Sequence, residues 1–208
     1  ILGTIQATLT DFKYITKEWQ KNCEEERLLG VSLTGIMDHK HFNGSGNRNT
    51  LQADLMELRN YSIEVNKKLA KKFNINQSTS ITCVNPSGTV SQLVDAASGI
   101  HTRHSKYYIR TVRADKKDPL CKFMIAKGFP NEDEINKPEY VSVFSFPVKT
   151  PIGAITRKEM SAIQQLEIWK LYQDFWCEHK PSITVSVRET EWMIVGAWVF
   201  DNFDSLSG

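Results

Sequence analysis

The sequence has no C-x-x-C pair, no H-E-x-x-H motif and no G-K-[ST] step after a glycine loop. Each absence removes a class. The four cysteines, Cys23, Cys83, Cys121 and Cys177, stand far apart, so neither a zinc ribbon nor a dithiol redox motif is available. A chain of 208 residues that is 40% apolar can bury a core without disulfides, so free thiols in a reducing compartment, the cytoplasm, are expected. The short pairs His39/His41 and His101/His104 lack cysteine or glutamate companions at metal-binding spacing, so these histidines are expected at the surface or in hydrogen bonds, with no metal. The net charge of +2 is too small to draw the protein to nucleic acid or to a membrane surface. The most apolar stretch, Trp192–Phe200, is about half the roughly 18 residues a membrane span needs and reads as a buried element. Repeats and low-complexity tracts are missing too. The chain opens on Ile1-Leu2-Gly3, without a leader pattern, and closes straight after an aromatic-rich segment, so a fragment of a longer protein is expected.

What is present alternates between helix and strand signals. Residues 3–29 carry Leu9, Phe12, Ile15 and Trp19 at helical spacing, giving one or two helices. Leu28–Ile36 reads as a buried strand or a strand turning into a helix, and His41–Asn49 as a loop. Thr50 is placed to cap a long helix carrying Leu51, Leu55, Leu58, Val65 and Leu69 on one stripe. Its last turns hold Lys67, Lys68, Lys71 and Lys72, a solvated end that suits the helix dipole. Ser80–Val84 is a strand, followed by a polar loop and a short helix to about Asp95. Tyr107–Val112 has strand character, Leu120–Lys127 is a helix stopped by Gly128, and Asn131–Tyr140 is loop-like. Val141–Val148 is a strand. Thr156 and Glu159 have capping-box spacing ahead of a helix over Lys158–His179. Ser182–Val187 alternates as a strand. This order predicts an α/β architecture with parallel strand pairs.

The loop Asn85-Pro86-Ser87-Gly88-Thr89 joins a β-branched strand to a helix start. The first N–H groups of a helix have no intrahelical acceptor and sit at the positive end of its dipole, a natural place for an anion. Gly88 permits close approach and unusual dihedrals, while Ser87, Thr89 and Ser91 offer hydroxyls. Ordinary helix capping would use the same residues, so local chemistry leaves phosphate binding and capping both open. The Walker pattern is absent, and Gly44-Ser45-Gly46 lacks the preceding strand of a dinucleotide fingerprint. Cys83 alternates with Ile81 on the strand and reads as a small buried hydrophobe.

The stretch V-N-P-S-G-T-V-S-Q-L-V-D-A-A-S-G-I-H-T-R-H-S-K-Y-Y-I-R-T-V-R (84–113) resembles the catalytic barrel of ribonucleotide reductases, closest to the monomeric, adenosylcobalamin-dependent class II ribonucleoside-triphosphate reductases. R-L-L-G-V-S-L-T-G-I-M-D (27–38), H-K-P-S-I-T-V-S-V (179–187) and V-G-A-W-V-F-D-N-F-D-S-L-S-G (195–208) agree, so the resemblance spans nearly the whole chain. It implies the later portion of a ten-stranded α/β barrel, with all of residues 1–208 belonging to that one barrel domain. It implies an oxidoreductase that removes the ribose 2′ hydroxyl by thiyl-radical chemistry started by adenosylcobalamin. Pro86, Ser87, Gly88, Thr89, Val90 and Ser91 become contacts to the substrate phosphates, mostly through backbone N–H groups. The resemblance also implies a deoxynucleotide effector, a thioredoxin-type reductant and a monomer.

The family's N-P-C-G-E thiyl motif does not occur here. None of the four cysteines is assigned the radical role, cobalamin contacts are expected largely outside these residues, and the isolated chain is expected to be inactive. Tyr107-Tyr108 are expected to be strand residues. Arg103, Arg110 and Arg113 either face phosphates or form a solvated rim. Three rivals stay open: a class I or dimeric class II reductase acting on diphosphates, a non-catalytic nucleotide-binding α/β module, and a structural domain in which P-S-G-T is a helix cap.

Overall fold

The computed structural model describes residues 1–206; the last two residues of the 195–208 stretch quoted above lie outside them. Two compact units divide the chain: Ile1–Arg103 together with the chain from Gly153 onward, and His104–Ile152.

In the first unit, α1 (Leu2–Gln6) and α2 (Lys17–Glu26) precede β1 (Val31–Ser32) and a single 3-10 turn, Ile36–Asp38. Thr16 caps α2 by accepting the Trp19 amide, and Arg27 ends it in the left-handed region at φ 47°. The long helix α3 (Arg48–Phe73) begins earlier than Thr50: the Asn47 side chain accepts both the Asn49 and Thr50 amides, so asparagine and not threonine is the cap. Leu51 and Leu55 of its stripe are buried, whereas Leu58 is exposed. β2 (Thr82–Cys83) pairs with β1 in parallel, Val31 opposite Thr82 and Ser32 opposite Cys83, as the alternation of elements predicted. β1 is not buried, however, since Val31 is 40% exposed. A four-residue helix, α4 (Val90–Leu93), follows the polar loop.

The helix α6 (Ala162–Phe175) runs along the core, packing Ile168, Trp169, Leu171 and Tyr172 with Ile36, Met37, Leu51 and Leu55. It starts four residues later than expected. Ser161 caps it in a reciprocal box with Gln164, while Thr156 and Glu159 close a separate turn through bonds of 2.7 and 2.9 Å. Residues 182–187 form no strand. Their amides turn to unlike acceptors: Ser182 donates to the Val84 carbonyl, Thr184 to His101 Nε2 and Ser186 to Gln165 Oε1. One main-chain bond makes no ladder. α7 (Trp192–Asp201) is a helix with no buried residue, against the expectation; Trp192 is 62% and Met193 88% exposed. Its apolar residues run all round the axis, so α6, met through Trp198 against Trp169, covers one side only.

The second unit is an antiparallel sheet in the order β3 (Tyr107–Asp115), β5 (Val141–Lys149), β4 (Asn131–Asp133), with α5 (Pro119–Ala126) between β3 and β4. Tyr107 and Tyr108 are strand residues as expected. Two expectations fail here. The pairing is antiparallel, because β5 runs back along β3 from Tyr107–Lys149 to Asp115–Val141. The charged 131–140 stretch also contributes a strand, which charges tolerate on an exposed sheet edge. Asp118 caps α5 by accepting the Leu120 amide, and Gly128 follows its end at φ +74°.

Candidate phosphate-binding loop

The loop is carried by a strand whose polar groups are satisfied on both flanks. On one side the Leu29 and Val31 amides donate to Ser80 and Ile81 carbonyls. On the other, the Glu178 carboxylate accepts the Ile81 and Thr82 amides, and the Thr82 carbonyl accepts the Glu178 and His179 amides. Trp176 Nε1 donates to the Cys83 carbonyl at 2.7 Å, and Thr82 Oγ1 donates to the Trp176 carbonyl at 2.6 Å. Main-chain groups paired on both flanks in this way fix where the chain leaves the strand. Ser32 then accepts the Asn85 amide at 2.9 Å and so pins the first loop residue.

Beyond Asn85 the chain comes to the surface. Pro86, Gly88, Thr89 and Val90 are exposed, Ser87 is half-buried and Ser91 is buried. Ser87 Oγ accepts the Ser91 amide at 2.6 Å, and Ser91 Oγ donates to the Ser87 carbonyl at 2.8 Å. Ser91 therefore braces the turn from inside, with its hydroxyl proton engaged, whereas Ser87 keeps its own proton to donate. Among the described residues the Thr89 and Val90 amides meet no acceptor, as expected for the first positions of a helix. Gly88 does not adopt the left-handed backbone that its identity suggested. A Cβ there would meet no atom within 4 Å. Neither a left-handed backbone nor a crowded Cβ position accounts for this glycine. The arrangement can hold an anion by two amides and a hydroxyl.

Sequence reasoning missed the groups that support the loop. Ser32, Thr34, Gly35 and Asp38 all lie in the 27–38 stretch, and they bond to Asn85, Ala97 and Arg103 in the 84–113 stretch. Gly99, at φ +51°, packs on the loop base, where a Cβ would stand 3.4 Å from the Asn85 carbonyl oxygen. The one available signal was that these residues fall inside the quoted motifs. Arg103 corrects one earlier alternative: it is 3% exposed and ion-paired with Asp38, so it is not part of a solvated rim. Arg113 pairs with Glu134 in the other unit.

All four cysteines are free thiols, and Cys83 is buried as expected. Burial pushes the Cys83 thiol up, and a hydrogen bond with Ser32 opposes this only in part. Burial, then the neighbouring Cys83, pushes Cys177 up to about 12. Neither supplies a thiolate at neutral pH. Among the described residues no cluster of histidine, cysteine, aspartate or glutamate could hold a metal ion, and no helix is long and apolar enough to cross a membrane.

The fold is that of a ribonucleotide reductase barrel, in part. The structure superposes on a B12-dependent, class II ribonucleotide reductase with a TM-score of 0.80 at 20% identity, over 97% of this chain and 32% of that one. In sequence, the chain is 30% identical over 160 residues to a Dictyostelium discoideum protein named a probable adenosylcobalamin-dependent ribonucleoside-triphosphate reductase. It is 28% identical over 178 residues to the adenosylcobalamin-dependent ribonucleoside-triphosphate reductase of Euglena gracilis, and 28% over 134 residues to that of Lactobacillus delbrueckii subsp. bulgaricus. These matches cover 77%, 83% and 62% of this chain but only 21%, 24% and 18% of the relatives. No family model matches. The chain is thus a homologue of one segment of the adenosylcobalamin-dependent ribonucleoside-triphosphate reductases.

Proposed function

We propose that this chain supplies the substrate-phosphate loop of an adenosylcobalamin-dependent reductase that converts ribonucleoside triphosphates to 2′-deoxyribonucleoside triphosphates. The observation that carries this reading is the loop itself: the Thr89 and Val90 amides at the helix start have no acceptor among the described residues, at the end of a strand whose main chain is tied on both sides. Thr89 and Val90 face the phosphates through their N–H groups, Ser87 adds its hydroxyl, and Pro86 and Gly88 shape the approach. Ser91 holds the turn closed. Each hydrogen bond from such a donor to a charged phosphate oxygen contributes about 1.5–3 kcal/mol. The pocket binds and orients; no proton moves at these atoms.

The described residues do not frame a site for the cobalamin. A cleft of 890 Å³ beside β1 is lined by Phe12, Trp19, Cys23 and Arg27, whose Nε and Nη1 donate to the Glu24 and Ala7 carbonyls. No step is assigned through the cofactor. The radical cysteine and one cysteine of the reducing pair also belong elsewhere in this reading, because the N-P-C-G-E motif does not occur in these residues. A deoxynucleotide effector, a thioredoxin-type reductant, a monomeric state and a cytoplasmic setting go with the same reading, the last supported by the four free thiols.

Gly88→Asp in the full-length enzyme tests it. Placing a carboxylate against bound phosphate costs at least about 1 kcal/mol per close charge pair even in water, so the KM for a ribonucleoside triphosphate should rise about fivefold or more. An unchanged KM refutes the loop assignment. The same assay run with the diphosphate separates this reading from a diphosphate reductase.

A further inference from the structure

A four-residue helix has no stability of its own, so the direction of its first amides must be set by what holds its two ends. The entry is held by Ser32, Ser87 and Ser91, as described above. The exit is held by a buried ionic fork. We propose that Arg103 is a positioning residue for the phosphate loop: by gripping Asp38 and the turn at Asp95, it fixes the end of α4 and thereby aims the Thr89 and Val90 amides. This rests on the reading of the loop given above.

The contacts form one chain from a rigid base to the loop. The Arg103 backbone is anchored by its amide on the Ile155 carbonyl at 3.0 Å and its carbonyl on the Arg157 amide at 2.8 Å. Its guanidinium donates through Nε to Asp38 Oδ1 at 2.9 Å and through Nη2 to Asp38 Oδ2 at 2.8 Å. Nη2 also donates to the Asp95 carbonyl at 2.6 Å, and Nη1 to Asp95 Oδ1 at 3.4 Å. Asp38 Oδ2 in turn accepts the Ala97 amide at 2.7 Å, and the Ala96 amide donates to the Ser91 carbonyl at 2.8 Å. Asp95 sits at φ 48°, a left-handed turn just after α4, and the Arg103 guanidinium bonds both its carbonyl and its carboxylate.

The planar fork matters because a lysine ammonium could balance Asp38 but could not also hold both carboxylate oxygens and the Asp95 carbonyl in a fixed plane. The guanidinium is buried and holds Asp38 and Asp95, so its effect on the phosphates runs through the helix. Loss of the fork should change how well substrate is bound and leave the chemical step alone.

The test uses the full-length enzyme and three variants. Arg103→Lys keeps the charge and loses the fork. Asp38→Leu with Arg103→Met replaces the buried pair by apolar groups of similar volume, an exchange that is often neutral or stabilising. Gly88→Asp controls for the loop itself. The expected result is a KM for the triphosphate raised about tenfold in Arg103→Lys and in the double variant, with kcat changed less than about twofold. If Gly88→Asp raises KM but both clamp variants keep it, or if they lose kcat alone, Arg103 is merely structural and the proposal is overturned. If Gly88→Asp leaves KM unchanged, the loop reading fails first, and this proposal with it.

Discussion

Gly44 sits at φ +76° in the turn that lies on α6, and a Cβ added there would stand 2.6 Å from Ile168 Cδ1. The turn is tied to the same helix by Tyr172 Oη, which donates to the Phe42 carbonyl at 2.8 Å, so it cannot simply lift away. Gly44→Ala therefore carries two costs. The left-handed backbone costs about 1–2 kcal/mol for a residue with a Cβ. Forcing that Cβ against a buried side chain costs about 1–3 kcal/mol more, giving about 2–5 kcal/mol in all. Ile168→Val removes Cδ1, and by itself should cost about 0.5–1.5 kcal/mol. In the double variant the next atom, Ile168 Cγ1 in the parent, stands 3.8 Å from the added Cβ, an ordinary contact. The overpacking cost then vanishes and only the backbone cost and the lost methyl remain. Urea denaturation of all four proteins should show the double variant more stable than the sum of the singles by about 1–3 kcal/mol, with m-values unchanged. Additivity within about 0.5 kcal/mol refutes the contact.

Three further outcomes follow from the buried groups. At pH 8 iodoacetamide should modify Cys23 in the native protein, and Cys83, Cys121 and Cys177 only after unfolding, as read by mass spectrometry of the peptides; prompt native labelling of Cys121 contradicts its burial. The raised Cys177 thiol is neutral when folded and ionises on unfolding, so its contribution to stability is full below 9.0 and is lost as pH rises towards about 12. Asn66 on α3 donates to Thr4 Oγ1 and Ser78 Oγ and accepts the Ser78 amide at 3.0 Å. Asn66→Ala strands that buried amide and should lower stability by about 1–3 kcal/mol in a thermal or denaturant melt. No loss would mean that water replaces the side chain.

The helices were legible wherever a stripe and a cap coincided. The α3 stripe from Leu51 was readable because two of its leucines are fully buried, yet its start was misplaced by a cap. Asn47 and Thr50 both suit that role locally, and only the backbone path of the preceding turn selects between them. Thr156 and Ser161 pose the same ambiguity before α6. Ser182–Val187 failed for another reason. Alternation records which faces are apolar, but a strand also needs a neighbouring main chain in register, and here His101 and Gln165 side chains stand in that place. The exposure of α7 could not be read at all, since uniform apolarity gives no face to orient.

The sequence by itself determined the alternation of elements, the parallel β1–β2 pair and the place of the loop, because period, turn residues and the order of motifs are local properties of the chain. Tertiary structure decided which of the loop's groups remain available. Ser87 and Ser91 are alike in sequence, but burial turns one hydroxyl inward and leaves the other at the surface. Arg103 is one of several arginines in a basic run, and only the return of the chain past Asp38 and Asp95 makes it the fork beneath α4. Such pairings join residues up to 65 positions apart, a separation over which no local pattern carries information.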